Sequence, residues 1–300
     1  MKTKSVVYFM IFFVFSLIDI SIGTANNVAE GKFYVIGTGP AGPKMATLQA
    51  LETIKQMDAF IASPEHLSLF ADYIKDKPVL FDPWRDLYHY KGKFFRRLSR
   101  DDLAEFIQKR SHMIKQRVSE IRGHMAEGKN VGLLDSGNPL LYGPSNWYSE
   151  HFESSEMIII PGMGSDAAAM AVLGKSVLPA HDTRFVIQTS PLSLRASVGG
   201  GGQMLSDLRK YPSTMVLYMA LEMPDVVFGL LNQIYPPDMP CAVVFWAGYP
   251  DRQRIVLGTV ADMASKISQE KERYMGLLFV GRFLEGMPYT SAMRRSFGKK

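Results

Sequence analysis

The sequence predicts an α/β protein made of two α/β domains with a ligand cleft between them. Three observations carry that prediction. From Lys32 onward, short β-rich runs alternate with segments of helical period, the pattern of a mostly parallel sheet covered by helices. Several of those runs end in turns of small residues, which let backbone come close to a ligand. A stretch without period, Leu178 to Phe185, then separates this half from a second group of strand candidates. A chain of 300 residues is long enough to give each half its own core.

The elements follow in order. Phe33-Tyr-Val-Ile36 is a β-rich run that stops at Gly37 and predicts the first strand. Met45 to Met57 carries Met45, Leu48, Leu51 and Ile54 at helical spacing. Asp58-Ala-Phe-Ile-Ala62 predicts the second strand, Glu65 to Tyr73 a helix and Pro78-Val-Leu80 a strand. Residues 82–98 are aromatic and basic with no clean period and predict a surface loop or lid. Ser99-Arg-Asp-Asp102 is a capping signal with Ser99 as N-cap, opening a long helix to about Glu127. Its Lys109, Arg110, Lys115, Arg117 and Arg122 read as a solvated face. After the turn Gly128-Lys-Asn130, Val131-Gly-Leu-Leu134 and Met157-Ile-Ile-Ile160 complete the strands of the first half. The second half offers Phe185-Val-Ile-Gln188, Met215-Val-Leu-Tyr218, Ala242-Val-Val-Phe-Trp246, Arg254-Ile-Val-Leu257 and Gly276-Leu-Leu-Phe-Val280, which predict a mixed sheet. Gly199 to Gly202 predicts a flexible loop. The resulting division is an N-terminal domain over residues 32–180, a C-terminal domain over 181–285 and a basic tail over 286–300.

Composition narrows the function classes. The net charge of +5 is modest, and Arg294, Arg295, Lys299 and Lys300 in the tail contribute to it. No dense basic stripe with interleaved aromatics is present, which disfavours nucleic acid as a partner. Cys241 is the single cysteine, in an apolar run, and reads as a small core residue. The histidines at 66, 89, 112, 124, 151 and 181 lack metal-ligand spacing, so no metal is expected. Lys2 and Lys4 precede an apolar run from Val6 to Phe15, and Gly23-Thr-Ala25 supplies small residues for a cleavage site. Residues 1–25 therefore read as a signal peptide or a membrane anchor, with membrane association through residues 5–22, and imply an exported or anchored protein.

The chemistry lies in the small-residue turns. Gly37-Thr-Gly-Pro-Ala-Gly42 fits the G-x-G-x-x-G dinucleotide fingerprint between a strand and a helix. Against that reading, Pro40 and Pro43 remove N–H donors from the turn, and Ala62-Ser63 lacks the acidic residue that holds a ribose. The other turns are Asp135-Ser-Gly-Asn-Pro-Leu-Leu-Tyr-Gly143, Ile160-Pro-Gly-Met-Gly-Ser165, Leu217-Tyr-Met219-Ala220 and Ala247-Gly-Tyr-Pro-Asp-Arg-Gln-Arg254 followed by Gly258-Thr259.

In this order and spacing the turns resemble the tetrapyrrole methylase family. Gly37, Gly39, Pro40, Pro43 and Thr47 match its opening motif, with Ala41 and Gly42 as departures. Ser136, Gly137, Pro139, Tyr142 and Gly143 match its Ser-Gly-Asp-Pro segment, with Asn138 in place of Asp. Pro161, Gly162 and Ser165 match the third segment, where Gly164 replaces a hydroxyl residue. The resemblance implies S-adenosylmethionine (SAM) as cosubstrate, a tetrapyrrole as substrate and a homodimer. It implies cofactor contacts at Pro40, Gly137, Asn138, Pro139, Tyr142, Ser165, Met219, Ala220 and Ala247. The substrate-side loop then belongs to the N-terminal domain and the SAM side to the C-terminal one. The expected reaction is methyl transfer to an electron-rich carbon, which needs alignment more than a nucleophile. Tyr142 and Asp166 are the candidates for assisting proton loss. Ser165 either caps the following helix or donates to a ligand, and Asp166 is an alternative cap. A SAM-dependent enzyme has cytoplasmic access to its cosubstrate, which conflicts with the leader. Two other readings stay open: a non-catalytic exported tetrapyrrole binder on the same fold, and a methylase with a different acceptor.

Overall fold

A computed structural model describes residues 30–178, 183–195 and 201–286. The predicted leader, the basic tail beyond Gly286 and Gly199 and Gly200 lie outside the described residues.

The first sheet is built from β1 (Phe33–Gly37), β2 (Ala59–Ile61), β3 (Val79–Phe81), β6 (Val131–Asp135) and β7 (Met157–Ile160), with a small hairpin of β4 (His89–Tyr90) and β5 (Lys93–Phe94) standing apart. Its order is β3-β2-β6-β1-β7, and every pairing is parallel. Parallel strands need crossovers, and helices supply them. On one face lie α1 (Leu48–Gln56), α2 (Pro64–Leu69) and α3 (Ala71–Ile74), whose apolar residues join Ile36, Phe60 and Leu134 in one core. On the other face α4 (Arg100–Ala126) and α5 (Asn146–Ser149) bury Ile121, Val118 and Tyr148 against Phe33, Val35 and Leu133. Strands covered on both sides read as the near-continuous apolar runs seen in the sequence.

The helix predicted from Met45 begins later, at Leu48. Gly42 has φ +84°, Pro43 opens a short 3-10 turn, and the Thr47 hydroxyl accepts from the Ala50 N–H at 3.0 Å to cap α1. Leu48, placed at the core spacing by its period, is 79% exposed. Ser99 caps α4 as expected, accepting from the Asp102 N–H at 3.1 Å. The basic residues of α4 are not all solvated. Arg110 lies over the Trp147 ring at 4.4 Å and donates to the Leu87 carbonyl, while Arg117 lies over Phe81 and donates to the Tyr148 hydroxyl at 2.9 Å. Arg122 stacks on Phe152 and pairs with Glu156. Their guanidinium faces pack on rings while their edges bond outward, which a charge pattern alone does not reveal. Within residues 82–98, expected as a surface loop or lid, the β4–β5 hairpin forms, and the Tyr88, Phe94 and Phe95 rings pack together and against Phe106 and Trp147.

Helix α6 (Ser165–Leu173) leads out of the first sheet and packs onto the second, where Ala169 and Met170 meet Val216, Ala242 and Phe279. That second sheet contains β8 (Phe185–Thr189), β9 (Ser213–Leu217), β10 (Pro240–Phe245), β11 (Arg254–Thr259) and β12 (Gly276–Val280), in the order β11-β10-β12-β9-β8. Only β8 and β9 are parallel; the rest pair antiparallel, giving the mixed sheet expected. Helices α7 (Gly201–Leu208), α8 (Pro224–Leu231) and α9 (Met263–Ser268) cover its far face, in a core that includes the buried Cys241. Gly201 and Gly202 belong to α7, so the predicted glycine loop does not extend to them.

Candidate active site

Sheet order brings the first three turns together. β6, β1 and β7 are adjacent and parallel, so the segments following Asp135, Gly37 and Ile160 leave the same edge side by side. This is the carboxyl edge where open α/β sheets bind ligands. The segments meet backbone to backbone. The Gly137 N–H donates to the Gly39 carbonyl at 3.0 Å. A Cβ on Gly162 would stand 2.1 Å from the Gly137 carbonyl oxygen and 2.6 Å from the Gly37 carbonyl carbon. A Cβ on Gly37 would meet the Gly162 nitrogen at 2.5 Å and the Pro139 ring at 2.7 Å. These glycines are therefore required by contact, not by chain flexibility. Thr47 adds a tie by donating to the Pro161 carbonyl at 3.5 Å.

Two buried titratable groups support this junction, and neither was nominated from the sequence. His66 is 3% exposed in the first turn of α2. Its Nδ1 lies 2.9 Å from Ser63 Oγ, and its Nε2 lies 3.2 Å from both Thr38 Oγ1 and Ser136 Oγ. Burial lowers its pKa to about 4, so the ring is neutral. Asp135 is 1% exposed at the end of β6. Its Oδ2 accepts from the Ser145 N–H at 3.2 Å and its Oδ1 has no partner. Burial pushes its pKa up to about 7, against the opposing pull of hydrogen bonds from Ser145 and Ser136. Gly143 leaves room for it, since a Cβ there would stand 2.1 Å from Oδ2. A carboxylate closing the apolar run Val131-Gly-Leu-Leu134 was the available signal for Asp135. His66 gave none, because its partners come from segments far apart in the chain.

The second sheet delivers the remaining turns to the same cleft. β9 and β10 both run antiparallel to β12, so both end on one edge. The Tyr218 ring, just past β9, packs on Tyr142 at 5.3 Å. Its hydroxyl is buried without a hydrogen-bond partner, and burial with the nearby Asp166 carboxylate raises its pKa. Asp166 also accepts from Gln188 Nε2 at 3.0 Å, across the domains. The turn after β10 presses on the first motif: a Cβ on Gly248 would meet Met45 Sδ at 2.1 Å. Tyr249 donates to Glu65 at 2.7 Å, a second bridge between the halves. Tyr142, Met219 and Trp246 hold positive φ of +63°, +55° and +50°, a conformation costly for non-glycine residues. All three lie on turns facing this cleft.

The predicted site residues divide accordingly. Gly137, Asn138, Pro139, Tyr142, Ser165, Asp166, Met219 and Ala247 sit on the turns that converge here. Ser165 is the first residue of α6 and Gly164 its N-cap, with no side-chain capping bond, so neither Ser165 nor Asp166 is the cap. Asn138 Oδ1 accepts from the Leu140 N–H at 3.1 Å, so the amide keeps the acceptor a carboxylate would provide. A Cβ on Gly164 would stand 2.2 Å from Asp166 Oδ1, so the missing hydroxyl residue makes room for that carboxylate. The Ala220 side chain is buried in the second core, which leaves only its backbone for a ligand. Pro40 lines a recess with Thr38, Glu65, His66, Ser136 and Tyr249.

The cleft suits a nucleoside thioether. Leu140, Tyr142, Met163 and Met219 are large apolar side chains left exposed, and all lie on these turns.

Comparisons with known proteins agree. The family of tetrapyrrole (corrin/porphyrin) methylases matches residues 32–264. Cobalt-precorrin-4 C(11)-methyltransferase of Methanocaldococcus jannaschii is 27% identical over 262 residues, covering 86% of this chain and 90% of that protein. Precorrin-4 C(11)-methyltransferase of Pseudomonas aeruginosa is 25% identical over 266 residues, covering 87% and 94%. Among solved structures, a cobalt precorrin-4 methyltransferase of cobalamin biosynthesis has a TM-score of 0.63 at 23% identity, over 87% of this chain and 99% of that one. Uroporphyrin-III C-methyltransferase from Thermus thermophilus, complexed with S-adenosylhomocysteine, has a TM-score of 0.57 at 18% identity, over 86% and 100%. At those identities the solved structures establish the shared fold. The chain belongs to the tetrapyrrole (corrin/porphyrin) methylase family and is a SAM-dependent methyltransferase.

Proposed function

We propose that this protein transfers the SAM methyl group to a carbon of a reduced tetrapyrrole of the precorrin or uroporphyrinogen class. The observation that carries this reading is the convergence of turns from both sheets on one cleft, with Leu140, Tyr142, Met163 and Met219 left exposed there. The precorrin-4 methyltransferases among its relatives support the choice of acceptor class.

Bound SAM supplies an electrophilic methyl on sulfonium, activated before it meets the protein. The residues of this chain then bind, orient and exclude water. Gly137, Asn138 and Pro139 shape one wall, and Tyr142 backed by Tyr218 forms another. Met219, the backbone of Ala220 and Ala247 close the cosubstrate side. In the transfer, the acceptor carbon bonds the methyl as the carbon–sulfur bond breaks, and the acceptor sheds a proton. The Asp166 carboxylate is the nearby group able to take that proton, directly or through water, with Tyr142 assisting.

The non-catalytic reading draws support from the Asn138 and Gly164 departures and from the signal-like N-terminal segment. Asn138 retains the acceptor its turn needs, and Gly164 accommodates Asp166, so both departures preserve the loop geometry. Incubating the protein with SAM and a panel of reduced tetrapyrroles, followed by mass spectrometry, tests the proposal. A product heavier by one methyl, lost when SAM is omitted, is the expected result. Absence of product on every tetrapyrrole, with SAM binding intact, would redirect the search to another acceptor.

A further inference from the structure

His66 is buried, neutral and outside the methyl-transfer chemistry, yet its ring touches two of the converging turns. Its hydrogen bonds bear on which nitrogen carries the proton. Ser63 Oγ accepts from the His66 backbone N–H at 3.3 Å, so its single hydroxyl proton is free for Nδ1 at 2.9 Å. On the other edge, Thr38 Oγ1 donates to the Asp135 carbonyl at 3.0 Å. With its proton there, or on the Gly39 carbonyl at 3.3 Å, Thr38 accepts from His66, at 3.2 Å. Both edges admit the tautomer protonated on Nε2. That N–H also reaches Ser136 Oγ at 3.2 Å.

The consequence falls on Ser136. In that tautomer its oxygen receives the Nε2–H, shared with Thr38, and His66 does not accept the Ser136 proton. The Ser136 side is exposed, at the first position of the turn that carries Asn138 and Tyr142. Its O–H is then free for a ligand. The recess over the ring is lined by Thr38, Pro40, Glu65, Ser136 and Tyr249, where the Tyr249–Glu65 bond joins the two halves.

We propose that His66 is a positioning residue of the transfer site, holding Ser136 so that its O–H donates to an acceptor oxygen or nitrogen of the bound ligand. This rests on the methyltransferase reading. The acceptor atom belongs either to SAM or to the tetrapyrrole, and the experiment separates the two.

The test uses the full chain with S136A, H66A, H66Q and the H66A/S136A double variant. Calorimetry with S-adenosylhomocysteine gives cosubstrate affinity, and methylation kinetics give KM and kcat for the tetrapyrrole. Loss of one neutral hydrogen bond predicts about 3- to 10-fold weakening in S136A, with an unchanged melting temperature. Weakening for S-adenosylhomocysteine assigns the acceptor to the cosubstrate; a change confined to tetrapyrrole KM or kcat assigns it to the substrate. H66Q keeps a donor in the place of Nε2 and restores function relative to H66A. The double variant is no worse than H66A, because the two residues act as one unit. H66N, whose shorter amide reaches Ser63 but not Ser136, replaces H66A if the latter fails to fold. An S136A protein within about twofold of wild type on every readout, or losses that multiply in the double variant, overturns the proposal. Wild-type protein that binds no S-adenosylhomocysteine overturns the methyltransferase reading, and this inference with it.

Discussion

Asp135 predicts an unusual pH dependence of stability. Its carboxyl is buried with Oδ1 unpartnered, and its pKa is raised from 3.8 to about 7. Between those values the folded protein holds a proton that the unfolded chain releases. Stability contributed by this group is therefore complete below about pH 4 and declines as pH rises through about 7. At about 1.4 kcal/mol per tenfold difference in proton affinity, the rise amounts to roughly 4 kcal/mol, an upper figure for one group. The substitution D135N removes the charge while its amide oxygen still accepts from the Ser145 N–H. Urea denaturation of both proteins from about pH 4 to about pH 8.5 isolates the effect, because all other groups titrate alike in both. The stability of D135N relative to wild type should climb with pH and level off near pH 8. Parallel curves, or a wild type that gains on D135N as pH rises, would refute the reasoning and mean that Asp135 is ionised and satisfied in the fold.

Other predictions follow from contacts at the cleft. G162A places a methyl 2.1 Å from the Gly137 carbonyl oxygen, backbone that cannot swing aside, and should cost about 2–3 kcal/mol in a thermal melt. Y142A should weaken S-adenosylhomocysteine binding about 2- to 10-fold by removing the ring packed on Tyr218, while Y142F retains it; equal losses in both would assign the role to the hydroxyl. N138D keeps the acceptor for the Leu140 N–H and should bind S-adenosylhomocysteine within about threefold of wild type, as measured by calorimetry.

The sequence carried the architecture because its strands show as apolar runs: Phe33-Tyr-Val-Ile36 and Val131-Gly-Leu-Leu134 became interior strands, and Met157-Ile-Ile-Ile160 the edge strand beside them, where Ile158 and Ile159 stay exposed. The motif turns were legible because close backbone contact demands glycine, and Gly37, Gly137 and Gly162 each meet backbone where a Cβ would stand. What escaped depends on contacts between distant segments. Helical period put Leu48 in the core, but the cap at Thr47 and the turn before it delayed the helix and left that side chain exposed. Charge pattern put Arg110 and Arg117 in solvent, but the Trp147 and Phe81 rings and the Tyr148 hydroxyl engage them. His66 became notable only once Thr38, Ser63 and Ser136 surrounded it.

The most direct test of the central claim is calorimetric titration of the folded protein with SAM and S-adenosylhomocysteine, with NADH as a control for the glycine-rich first turn. Micromolar binding of the SAM-type ligands and no heat from NADH is the predicted result. Folded protein that binds neither SAM-type ligand, or that binds NADH alone, would contradict it.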